Sequence, residues 1–136
     1  MEGIVTKSTG SWYLVRTVEE KIYQARLKGK FRMKGIKATN PVVVGDKVGV
    51  VMNDDGTAII EDIHPRNNYI VRRATKLSKR SHIIAANIDQ AFLIVTLAKP
   101  RTSTGFIDRF LITSEAYHIP SCIVFNKIDI YDSKML

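Results

Sequence analysis

At 136 residues the chain is one ordinary domain or two small ones, and 45% apolar content is enough for packed cores. A formal charge of +8 and a pI near 9.7 point to an anionic partner, nucleic acid before an acidic membrane surface. A single cysteine, Cys122, excludes an internal disulfide framework, no apolar run reaches membrane-spanning length, and the start Met1-Glu2-Gly3 lacks the basic and apolar regions of a signal peptide, so a cytoplasmic protein with no membrane partner is expected.

The first 65 residues read as strands. Candidates are Gly3–Lys7, Trp12–Arg16, Lys21–Leu27, Lys47–Met52 and Ala58–Ile63. Tyr23, Ala25 and Leu27 alternate with Gln24, Arg26 and Lys28, and Val48, Val50 and Met52 alternate with polar or small neighbours. A period of two marks half-buried antiparallel strands. Turn signals at Thr9-Gly10-Ser11, Lys28-Gly29-Lys30, Asn40-Pro41 and Asn53-Asp54-Asp55-Gly56 separate them. Five short strands predict a small all-β barrel of the OB type, with an SH3-like barrel as the rival.

Positive charge is unevenly placed: residues 1–62 carry ten Lys/Arg and eight Asp/Glu, 63–82 carry six and none, and 83–136 carry five and five. Within the barrel, Lys21, Arg26, Lys28, Lys30, Arg32, Lys34 and Lys37 run without an acid, and Trp12, Tyr13, Tyr23 and Phe31 lie beside or among them. Cations for phosphates and rings for bases are what an RNA surface needs. The competing reading makes Trp12 and Tyr23 core and the lysines a solvated loop. Residues 66–82, with Arg66, Arg72, Arg73, Lys76, Lys79 and Arg80, form a basic linker that suits a phosphate backbone or, more plainly, a solvated connector; Ile70 and Val71 anchor its first half, and Lys76–Ser81 reads as mobile.

From residue 83 the texture changes. Ala91–Leu97 is a continuous apolar run of strand length, as expected where both faces of a parallel sheet are covered. After the loop Lys99-Pro100-Arg101-Thr102, Ser103 or Thr104 can cap a helix on which Phe106, Ile107, Phe110, Leu111 and Tyr117 recur at helical spacing, ending near His118-Ile119-Pro120. His118 there suits a partner of the helix dipole better than a catalytic base. Strand Ser121–Phe125 follows, with Cys122 read as a small core residue, and ends at Asn126-Lys127-Ile128-Asp129. Strand, helix, strand makes a βαβ unit with a right-handed crossover.

Ligands of open α/β sheets bind at the carboxyl ends of the strands. Asn-Lys-x-Asp there matches the guanine-reading motif of GTPases. The Asp129 carboxylate can accept the ring N–H and the exocyclic amine of guanine, whereas adenine offers no such pair. The stem of Lys127 can lie across the base. The Asn126 amide can touch the base and tie neighbouring loops. A strand ending in a solvated polar turn is the plain alternative. No Gly-x-x-x-x-Gly-Lys-Ser/Thr loop occurs in the 136 residues. Either the motif match is accidental or the usual GTPase order is permuted and the phosphate loop lies beyond Leu136.

The chain resembles the ribosome small-subunit-dependent GTPase A family, the circularly permuted GTPases also called RsgA or YjeQ. The carrying residues are Ala85-Ala86-Asn87-Ile88-Asp89-Gln90, Phe106-Ile107-Asp108-Arg109-Phe110-Leu111, Glu115-Ala116-Tyr117 and Asn126-Lys127-Ile128-Asp129, with Gly45-Asp46-Lys47-Val48 and Arg72-Arg73 in support. The resemblance implies an OB barrel (1–65), a basic linker (66–82) and the truncated start of a GTPase domain (83–136). It implies a factor that binds GTP with Mg2+, carries zinc in a C-terminal domain absent here, contacts the small ribosomal subunit and its rRNA late in assembly, and hydrolyses GTP when the subunit stimulates it. Asn126, Lys127, Ile128 and Asp129 are the GTP-binding residues it carries over; it gives no catalytic residue and no metal ligand in this chain. The fragment alone is expected to be inactive, and to meet its exposed apolar surface by packing on the barrel, by self-association or by local disorder, while the parent is a monomer. A plain OB-fold RNA-binding module without nucleotide chemistry is the alternative.

Overall fold

Five strands with alternating apolar residues close into a barrel. The computed structural model describes residues 1–29, 41–73 and 81–135, and divides into two compact units, Met1–Asn87 and Ile88–Leu136. Strands β1 (Glu2–Ser8), β2 (Tyr13–Thr17), β3 (Ile22–Leu27), β4 (Lys47–Met52) and β5 (Ala58–Ile63) join in the order β1-β2-β3-β5-β4, and β1 pairs with β4 to close the ring. All neighbours are antiparallel except β3 and β5, which run parallel from Ala25↔Ala58 to Leu27↔Ile60. The barrel is OB-like.

Its inward positions are small and β-branched, which lets five strands close around them. Val5, Val15, Val48 and Ile60 are fully buried, and Tyr13 is 2% exposed. Burying each such side chain stabilises the fold by roughly 1.5–3 kcal/mol. Tyr13 is therefore core, Tyr23 packs against the core from its edge, and Trp12 stays partly exposed in the turn between β1 and β2.

The stretch read as a linker is partly built. β6 (Tyr69–Arg73) pairs antiparallel with β7 (Ser81–Ala86). Its β-branched start supplies the pairing, and Asn87 fastens it to the barrel. Asn87 Nδ2 donates to the Gly45 carbonyl (2.9 Å), Asn87 Oδ1 accepts from Asn67 N–H (2.9 Å), and Ala86 N–H donates to the Val44 carbonyl (2.9 Å). Gly45 has φ +92°, and a Cβ there would stand 1.9 Å from the Ala86 carbonyl oxygen. Only glycine combines that backbone angle with that approach.

In the second unit β8 (Ala91–Val95) and β9 (Ser121–Phe125) pair in parallel, in register from Ala91↔Ser121 to Val95↔Phe125. Helix α1 (Thr104–Ala116) connects them, capped by the Ser103 hydroxyl, which accepts from Phe106 N–H at 3.2 Å. The exposed apolar surface expected of the fragment is present, and the core reading of Cys122 fails, for one reason. β8 is covered on one face only: Leu93 and Val95 are buried, but Phe92 and Ile94 are 59% and 65% exposed. Cys122, read as core, is exposed and stands opposite Phe92 in the register. Within Ile88–Leu136, two strands and one helix supply a cover for only one face of the sheet.

Candidate functional site

The parallel register brings two loops to the carboxyl end of β8 and β9. After β8, Thr96 N–H donates to Thr102 Oγ1 (3.0 Å) and Thr102 N–H to the Thr96 carbonyl (2.8 Å), closing the loop that holds Lys99. After β9, Asn126 N–H still donates to the Val95 carbonyl at 2.8 Å. The chain then turns sharply: Lys127 is left-handed (φ 60°, ψ 37°), and Ile128–Ile130 forms a single 3₁₀ turn. Asn126, Lys127, Ile128 and Asp129 are thus brought together at the strand ends, all exposed, with Asp129 in the first turn of that short helix.

The loop tie assigned to Asn126 is made by its neighbours. Asn126 Oδ1 accepts from Lys127 N–H at 2.9 Å, a contact within the turn itself. Lys127 Nζ reaches across to donate to the Lys99 carbonyl at 2.7 Å. Tyr131, 9% exposed, accepts from Leu97 N–H through its hydroxyl at 2.9 Å and donates to the Asn126 carbonyl. Sequence reasoning missed Tyr131; its one signal is an aromatic residue in an otherwise polar stretch.

The RNA candidates scatter. Arg26 lies on β3 with its guanidinium 4.0 Å from the centroid of the Trp12 ring, a stacked cation–π pair. Both line a groove floored by Leu27, Ala58 and Ile59 and edged by Asn53 and Asp55. Asp55 turns inward on its own loop, accepting from Thr57 N–H and Oγ1, and these bonds hold its carboxyl below the usual range. Lys28, at the same groove, is paired with Glu61 at 2.8 Å. Arg72 is exposed on β6, opposite His82, and Arg73 follows it in the strand. Lys30, Arg32, Lys34, Lys76, Lys79 and Arg80 lie outside the described residues.

Arg66 is already paired within its own unit. Its Nε and Nη2 donate to the two oxygens of Asp46 at 2.6 and 2.7 Å, and Nη2 also donates to the Pro41 carbonyl. Asp46 is fully buried and also accepts from Val43 N–H at 2.8 Å. The hydrogen bonds it donates to Asp46 push the Arg66 pKa up, as expected for a fork held in a bidentate pair. That guanidinium is tied to the barrel through Asp46 and Pro41.

A family profile described as RsgA GTPase matches residues 63–136, and one described as RsgA N-terminal domain matches residues 2–60. The chain belongs to the RsgA GTPase family. It is 54% identical over 136 residues to the small ribosomal subunit biogenesis GTPase RsgA of Bacteroides fragilis, covering 100% of this chain and 44% of that protein. The RsgA of Phocaeicola vulgatus is 56% identical over 132 residues, 97% of this chain and 43% of that protein. Among solved structures, YjeQ from Thermotoga maritima superposes with a TM-score of 0.72 at 31% identity, over 98% of this chain and 43% of that one. YloQ, titled a circularly permuted GTPase, gives 0.68 at 29% identity, over 98% and 42%. The chain therefore spans less than half the length of the RsgA relatives it matches. Gly45-Asp46, part of the family resemblance in the sequence, has a structural reason in the turn and the buried ion pair above.

Proposed function

We propose that this chain is the RNA-binding barrel and the guanine-reading start of a circularly permuted GTPase that binds the small ribosomal subunit and its rRNA, assists late maturation in the cytoplasm, and hydrolyses GTP when the subunit stimulates it. The observation that carries the reading is the position of Asn126, Lys127 and Asp129. They follow β9 at the carboxyl end of a parallel pair, where a ligand of an α/β sheet sits. Asp129 takes the two guanine donors, Lys127 lies along the base, and Asn126 with the Ile128 backbone shapes the turn. Barrel residues 1–65 supply RNA contact through Arg26 and Lys28, and the segment 66–82 adds Arg72 and Arg73.

Mg2+ and the phosphate-binding parts belong, in this reading, to the longer protein, because phosphoryl transfer works by positioning and charge neutralisation around the phosphates. Zinc, in the same reading, belongs to a C-terminal domain of the longer protein. The 136-residue chain alone neither hydrolyses GTP nor binds it tightly, and its bare face at Phe92 and Ile94 favours self-association, whereas the longer protein is a monomer. The test is GTP turnover by the full-length protein with and without purified small subunits. Stimulation by the subunit is expected; equal turnover in both, or turnover by the 136-residue chain alone, contradicts the reading.

A further inference from the structure

We infer that Tyr131 is a positioning residue for guanine specificity, holding the Asn126–Asp129 turn against the end of β8. The inference rests on the guanine-reading role proposed above for Asp129. Residues 126–130 are all exposed, yet the ring that follows them is buried. Its hydroxyl uses both of its capacities on backbone: it accepts from Leu97 N–H, beyond the end of β8, and donates to the carbonyl of Asn126, at the head of the turn. Asn126 N–H is meanwhile fixed to the Val95 carbonyl. The first residue of the motif is thus clamped on both sides to the neighbouring strand, and Lys127 adds a third tie through Lys99.

Asp129 has no such anchor of its own. It stands two residues before Tyr131, on a single 3₁₀ turn closed by Ile130 N–H to the Lys127 carbonyl and Tyr131 N–H to the Ile128 carbonyl. A turn this short holds its carboxylate only as firmly as its two ends are held. Tyr131 is one end, and through Asn126 it also fixes the other. Removing the hydroxyl leaves the ring packed but frees the carbonyl and N–H it joins, so the carboxylate drifts from the geometry that two parallel hydrogen bonds to guanine demand.

The experiment compares GTP with inosine triphosphate, which lacks the exocyclic amine, on the full-length protein. Tyr131→Phe is expected to lower GTP affinity about tenfold, the scale of one charged hydrogen bond lost, and inosine triphosphate affinity much less, so the preference for GTP shrinks. Replacing Tyr131 with 4-aminophenylalanine, which returns a donor to the Asn126 carbonyl but only a poor acceptor to Leu97 N–H, is expected to restore part of the preference. Equal losses for both nucleotides, an unchanged preference, or a Tyr131→Phe protein that does not fold would overturn the inference, because each makes the hydroxyl a general structural element. A wild-type protein with no preference for GTP over inosine triphosphate would instead overturn the role given to Asp129.

Discussion

Arg66 shows how a single side chain changes meaning once its partner is known. In the sequence it opens a run of six cations without an acid and reads as a phosphate contact. In the fold its guanidinium closes on Asp46, twenty residues earlier, whose carboxylate has no exposure to water. Removing one partner strands the other charge in a dry site, which costs about 3–5 kcal/mol. Arg66→Ala is therefore expected to lower the urea midpoint of the Met1–Asn87 unit, read by far-UV circular dichroism, by far more than Arg72→Ala on the exposed strand. Equal, small effects from the two would mean that the Asp46 pair does not hold the barrel. Asp55 makes a weaker, titratable contribution. Its folded pKa is depressed by Thr57, so its support for the β4–β5 turn is present at neutral pH. That support is lost as pH falls through and below the ordinary carboxylate range. Asp55→Asn should flatten the acid limb of the stability profile.

At the level of elements, the strands were legible and their surroundings were not. Alternation placed β4 and β5 at their observed bounds, and the apolar run before Asn126 placed β9, because period and turn residues are local properties. What a strand packs against is not local. The sequence of β8 reads as doubly covered, yet Phe92 and Ile94 are bare, since the covering layer is not encoded in two strands and a helix. The residue pairs joining the β6–β7 hairpin to the barrel were equally hidden: Gly45 and Asn87 are forty-two positions apart, and neither position alone announces the contact. Gly45→Ala tests that joint. The backbone strain alone costs about 1–3 kcal/mol, and a methyl group cannot share space with the Ala86 carbonyl. The expected result is a lower melting temperature, with faster amide exchange concentrated at Ala86 and Asn87. Unchanged exchange there would mean that the hairpin is not fastened through this contact.

For the molecule as a whole, charge and site belong to different units. The barrel unit, with its hairpin, carries sixteen of the twenty-one cations, by counting Lys and Arg from residue 1 to 87. The second unit is neutral over 83–136 and carries the guanine motif. RNA affinity should then reside in the first unit and fall steeply with salt. Arg26→Ala should weaken binding of a single-stranded RNA and reduce the magnitude of the log–log salt slope by about 0.7, one phosphate contact. Trp12→Ala should weaken binding with less change in slope, because a ring contributes stacking rather than charge. An Arg26 variant with unaltered affinity and slope would move the RNA surface elsewhere on the chain.

Guanine selection rests on Asp129, and a base-exchange measurement on the full-length protein tests that role most directly. Asp129→Asn gives up two donors from guanine to a charged acceptor and gains a donor suited to the carbonyl that xanthine carries in place of the amine. Competition against a fluorescent guanine nucleotide is expected to show GTP weakened at least about a hundredfold and xanthosine triphosphate now preferred. An Asp129→Asn protein that still prefers GTP would contradict the account.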